Sequence, residues 1–151
     1  MSYLVDTSVW SLALRRDVPD TTREVAELKR ALEAGDEILV TGLVLQELLQ
    51  GFNRPKAYSQ IIGYFSVLPF IIPEKEDYIN AADLRNLCRK KGIQVGTIDA
   101  LLASLCIERD IKILTTDRDF PRSPGYLHSR SGLDQNQAVD PNSSVVAKTT
   151  L

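Results

Sequence analysis

The chain has 151 residues, 44% hydrophobic and 25% charged, which suits one globular domain able to bury its own core without a disulfide or structural metal. No run of about 18 apolar residues is present and the first residues lack the basic and apolar regions of a signal peptide, so a cytosolic protein with no membrane partner is expected. A single histidine, His128, argues against a histidine-based metal site or a Ser-His-Asp triad; the two cysteines lack CxxC spacing, and the net charge of −2 is not the basic surplus usual in polyanion binders.

Tyr3, Leu4 and Val5 form a short apolar run, read as a buried strand that ends at Asp6. Apolar residues from Val9 to Leu14 predict a first helix, and residues 15–20 a loop. Thr21 or Thr22 caps a second helix running to Ala34. Its Val25, Leu28 and Leu32 share one face, and Gly35 stops it. Ile38, Leu39 and Val40 are the second strand. Thr41 caps a third helix, in which Leu45, Leu48, Leu49 and Phe52 recur at i, i+3, i+4, i+7. A further helix is expected over residues 58–65.

The third strand is read over residues 67–72, with Pro69 placing it at an edge or a bulge. Residues 74–91 form a long helix, acidic at its start and basic at its end, before Gly92. Thr97 is read as the cap of the next helix, with Ile98, Leu101, Leu102 and Leu105 inward. Ile111 to Leu114 supply a fourth strand. Strands alternating with helices predict an α/β fold: a parallel sheet of about four to five strands with helices on both faces. Residues 1–127 make this domain. Residues 128–151, polar and without periodicity, are expected to be a disordered tail.

In such a sheet, ligands bind beyond the carboxyl ends of the strands. Asp6 follows the first strand and Asp117 the fourth. Glu47 and Asp99 lie near helix starts. Asp99 is read as the second residue after the Thr97 cap, and Glu47 lies at the margin of an apolar face with Val44 and Gly51 as neighbours. Each acid has an ordinary structural reading: Asp6 as a cap, Glu47 as surface, Asp99 as a helix-start residue, Asp117 as part of a turn. Brought together, four carboxylates repel one another, and a cation relieves that repulsion. An all-oxygen donor set suits Mg²⁺ or Mn²⁺. Without these four acids, 18 basic residues face 16 acidic ones, so net charge does not exclude a nucleic-acid substrate.

The four stretches around these acids are LVDTS (residues 4–8), LQELLQG (45–51), TIDALLA (97–103) and ILTTDRDF (113–120). In this order and spacing they resemble the signature regions of PIN domains, especially the VapC-type toxins of toxin–antitoxin pairs. The resemblance covers residues 3 to about 127. It implies an Mg²⁺- or Mn²⁺-dependent endoribonuclease acting on structured RNA such as tRNA or ribosomal RNA loops. It further implies a homodimer held inactive by a cognate antitoxin. Asp6, Glu47, Asp99 and Asp117 match the family's metal-binding acids; on this basis Asp6, Asp99 and Asp117 are expected to hold the main metal, and Glu47 to orient or deprotonate the attacking water or help hold a second metal. Thr7 or Ser8, together with Thr115, match its hydroxyl positions, and Asp119 a less constant second acid. Arg118 is the best-placed cation for an RNA phosphate. Arg15, Arg16, Arg54, Lys56, Arg89, Lys90, Lys91 and Arg122 are further candidates. The family's final strand has no good counterpart in residues 121–128.

Two rivals stand beside this reading. A haloacid-dehalogenase-like phosphatase needs a second Asp two residues after the first, and that position is Ser8. A catalytically inactive PIN-fold module that only binds RNA or a partner keeps the fold but loses the chemistry.

Overall fold

The computed structural model describes residues 1–15, 22–118 and 120. The expected polar tail, Asp119, Arg16, Arg122 and the 121–128 stretch lie outside them. Among the described residues the order is β1 (Ser2–Val5), α1 (Thr7–Ala13), α2 (Arg23–Glu33), β2 (Glu37–Thr41), α3 (Gly42–Gly51) and α4 (Pro55–Phe65). Then follow β3 (Phe70–Ile71), α5 (Lys75–Lys90), α6 (Thr97–Arg109) and β4 (Lys112–Leu114). No helix among these residues is long and apolar enough to cross a membrane.

The strands form one parallel sheet in the order β3-β2-β1-β4. Its interior strands are therefore β2 and β1, with β1 flanked by β2 and β4. Successive strand residues point to opposite faces, yet Tyr3, Leu4 and Val5 are all buried, as are Ile38, Leu39 and Val40. Both faces of the sheet are covered, which is why these strands read as continuous apolar runs and not as alternating ones.

Local chemistry sets most of the helix ends. Thr22 and Thr41 accept N–H bonds from Val25 and Val44 as N-caps. Gly35 and Gly92 take the left-handed conformation just past α2 and α5 (φ 73° and 76°), where a side chain would be strained. Helix α4 starts at Pro55, three residues before the expected position. Proline suits the first helical turn because its missing N–H has no intrahelical partner there.

Two other expectations need correction. The third strand is two residues long, not six. It does lie at the sheet edge, where Pro69 offers its carbonyl to the Val40 N–H but has no N–H to extend the ladder. Val67 and Ile72, expected inside it, are about four-fifths exposed (81% and 80%). Helix α6 is capped by Gly96, and Thr97 is its first residue, so Asp99 is the third helical residue.

Helix α6 is buried all round from Ala100 to Cys106, which hides the one-sided pattern expected of a surface helix. It forms an antiparallel hairpin with α5. Arg109, near its end, bonds Asp77 at the start of α5 at 2.9 Å. Arg85 donates to the Val95 carbonyl towards the opposite end of the hairpin. Cys88 and Cys106 are buried free thiols, and burial pushes Cys106 up to about 12, leaving it unreactive.

A charged network ties α2 to the far side of β1. The Tyr3 hydroxyl donates to Glu27 (2.8 Å), and Arg30 donates to Glu27, Tyr3 and Asp36. The Arg30 guanidinium first, and the Tyr3 hydroxyl second, hold Glu27 down from 4.5 to about 2. A lowered folded-state pKa stabilises the fold above 4.5, and that stabilisation is lost as pH falls towards 2. Urea titrations of wild type and Glu27→Gln at low ionic strength should therefore differ most above pH 4.5 and converge towards pH 2. Parallel curves would refute the network's role. Added salt should shrink the difference, since these groups are partly exposed.

Candidate active site

The site begins where β1 ends. Asp6 continues the ladder by donating its backbone N–H to the Leu114 carbonyl at 2.9 Å. It is also the N-cap of α1. Its Oδ1 accepts the Thr7 N–H at 2.7 Å. Its Oδ2 accepts the hydroxyls of Ser8 (2.7 Å) and Thr115 (3.0 Å). The structural and functional readings of Asp6 are thus compatible: the side chain caps a helix and faces the carboxyl edge of the sheet.

Thr115 immediately follows β4 and is fully buried. Besides donating to Asp6, its Oγ accepts the Asp117 N–H at 3.1 Å. Ser8 Oγ in turn accepts the Thr116 N–H at 3.2 Å. Two hydroxyls therefore stitch the β1–α1 corner to the loop carrying Asp117. Thr7 donates its hydroxyl to Glu47 at 2.5 Å, which anchors that acid, one turn into α3, to the same corner. Thr7, Ser8 and Thr115 all engage the acids or their loop.

Asp99 arrives from α6. Its carboxyl is raised above the usual range, first by burial and then by the negative charges of Asp6, Asp117 and Glu47. The backbone N–H of Gly96 opposes this by bonding the ionised form. Asp99 thus feels the other three acids at once, although they stand on β1, α3 and the loop after β4. Among the described residues, no group of three acidic, histidine or cysteine side chains is arranged to hold an ion directly. The donor chemistry fits a divalent cation that retains part of its water shell, as Mg²⁺ does when one or two carboxylates bind it.

Of the candidate cations, Arg118 is exposed beside Asp117. Arg15, Arg54 and Lys56 line one groove of about 510 Å³ between α1, α3 and α4, with Tyr64 at its wall. Arg89 to Lys91 finish or follow α5, at the end of the hairpin that carries Asp99. Trp10 and Phe65 are core residues, their ring centroids 5.1 Å apart, and so are not available for base stacking. A cavity of about 550 Å³ runs along the outer side of β4 between α2 and α6. It reaches Thr115 from behind, but none of the four acids lines it.

Sequence reasoning missed Gly96. The available signal was its position three residues before Asp99, the spacing at which an N3 acid reaches back to the cap N–H. Thr115 entered only through the resemblance, because nothing local marks a strand-end threonine as the partner of a residue 109 positions away.

The family model of the PIN domain matches residues 3–125. The chain is 26% identical over 132 residues to ribonuclease VapC2 of Rickettsia felis, a match spanning 84% of this chain and 96% of that protein. The solved structure of VapBC2 from Rickettsia felis, bound to a promoter DNA fragment, aligns with a TM-score of 0.63 and 23% identity, over 82% of this chain and 94% of that one. Mycobacterium tuberculosis VapC20, described as a sarcin–ricin loop cleaving toxin, aligns with a TM-score of 0.57 and 17% identity, over 78% and 92%. A toxin–antitoxin complex from Klebsiella pneumoniae gives 0.61 and 19%, over 82% and 93%. These structural likenesses show the fold.

Replacing the threonine hub tests the stitching directly. Thr115→Val keeps shape but removes a buried donor and acceptor, leaving the Asp117 N–H without that partner. It should lower stability by roughly 1–3 kcal/mol in urea unfolding, with Thr115→Ser recovering most of the loss. An unchanged midpoint for Thr115→Val would show that the two bonds contribute nothing.

Proposed function

The chain belongs to the PIN domain family, and on that premise we propose that it is a divalent-metal-dependent endoribonuclease, the toxin of a toxin–antitoxin pair. The observation that carries the reading is the convergence at the carboxyl edge of the sheet, where hydroxyls tie Asp6, Glu47 and the Asp117 loop to one corner and the charges of these acids bear on Asp99. Such a cluster costs stability through mutual repulsion, and a bound cation offsets that cost. The match to a ribonuclease along almost its full length supports the same chemistry over an inactive binding module.

In this reading Asp6, Asp99 and Asp117 hold Mg²⁺ or Mn²⁺, partly through water. When bound, the ion supplies positive charge that acidifies water and offsets charge building on the phosphate. Glu47, oriented by the Thr7 hydroxyl, takes the proton of the attacking water. Water oxygen attacks phosphorus in line, the bond to the 3′ oxygen breaks, and the products carry 5′-phosphate and 3′-hydroxyl ends. Arg118 meets a substrate phosphate, and Asp119 is an accessory acid. The substrate is structured RNA, of the tRNA or ribosomal RNA class.

The complexes among the structural relatives support an antitoxin as the protein partner. The family pattern supports a homodimer working in the cytosol.

EDTA should abolish RNA cleavage, and added Mg²⁺ or Mn²⁺ should restore it. Asp6→Asn should lower the rate on the order of 10²-fold or more, the scale for losing one well-placed electrostatic group. Cleavage that ignores both EDTA and Asp6→Asn would sink the proposal. Metal-independent RNA binding without any cleavage would favour the inactive module.

A further inference from the structure

Gly96 has a backbone that does not require glycine. At φ −63° and ψ 158° it is ordinary extended chain, open to any residue. Packing does not require it either: the position is exposed, and a Cβ built there meets only Asp99 within 4 Å. Capping chemistry would favour another residue. Ser, Thr, Asp and Asn lead at this position because their side chains accept an orphan N–H of the first turn, and α6 has no side-chain cap.

The contact with Asp99 supplies the missing reason. A Cβ on residue 96 would stand 2.6 Å from Asp99 Oδ2 and 3.6 Å from its Cγ. Carbon and oxygen do not approach so closely without a bond, so one of them must move. The carboxylate is the end of a flexible side chain, whereas the Cβ is fixed to a helix start. The carboxylate therefore yields and the backbone stays.

We infer that Gly96 is a positioning residue: its missing Cβ leaves the space in which the Asp99 carboxylate folds back over the start of α6. This rests on the metal-dependent nuclease reading, since it gives that geometry its use. Any side chain at position 96, including a better helix cap, displaces an acid of the site while leaving the fold intact.

Gly96→Ala and Gly96→Ser separate this from a structural role. Three quantities are measured on wild type and both variants: Mn²⁺ affinity by calorimetry, RNA cleavage kinetics at saturating metal, and Tm. The expected result is an unchanged Tm, or a higher one for Gly96→Ser, with Mn²⁺ binding weakened roughly 10- to 100-fold, the range seen when groups that orient metal ligands are lost. The turnover number should fall with little change in KM for RNA. Wild-type Mn²⁺ affinity and turnover in both variants would overturn the inference alone. A sharp fall in Tm in both variants would also overturn it, by making glycine a folding requirement. A wild-type chain that neither binds Mn²⁺ nor cleaves RNA would overturn the nuclease reading and this inference with it.

Discussion

The Asp6 carboxylate accepts a backbone N–H from Thr7, a hydroxyl from Ser8 and the hydroxyl of Thr115 from the neighbouring strand's end. Hydrogen bonds to a charged group contribute about 1.5–3 kcal/mol each, so this one side chain is a substantial fastening. It caps α1, closes the β1–β4 edge and orders the loop through which Asp117 reaches the site. Asp6 can do this because it directly follows β1, which pairs with β4.

That placement decides what else can gather there. Helix α3 starts directly from β2, so Glu47, one turn in, comes within reach of Thr7. Helix α6 leads into β4 and carries Asp99 at its own start, among the same charges. The acids come from four separate elements. Their mutual repulsion is opposed by hydroxyl and backbone donors, which stabilise the carboxylates without neutralising their negative charge. The result is a site that favours a cation while the surrounding core, continuous through both faces of the sheet, keeps the fold together.

Thr97 has the right chemistry for a cap, but α6 begins a residue earlier, with Gly96 as its N-cap. Asp99 thereby falls at the third helical position, with its carboxylate against the exposed Gly96 backbone. Residues 67–72 have the apolar content of a strand, but Pro69 removes a ladder donor and an edge strand has no second neighbour to compensate. Helix α6 shows little one-sidedness in sequence because the sheet and α5 cover it on opposing sides.

By itself, the sequence determined what near neighbours decide. Thr22 and Thr41 as caps, Gly35 and Gly92 as stops, the apolar runs of β1 and β2, and the positions of four acids at strand ends and helix starts are all local. Capping, backbone freedom and burial period act over a few residues and can be read in a short window. Tertiary structure alone decided which acids meet, that Thr115 joins Asp6 across 109 residues, and that the space beside Gly96 belongs to Asp99. Those depend on strand order and on angstrom-scale clearance between side chains. Both are set by the packing of the whole chain, so no single stretch of sequence carries them.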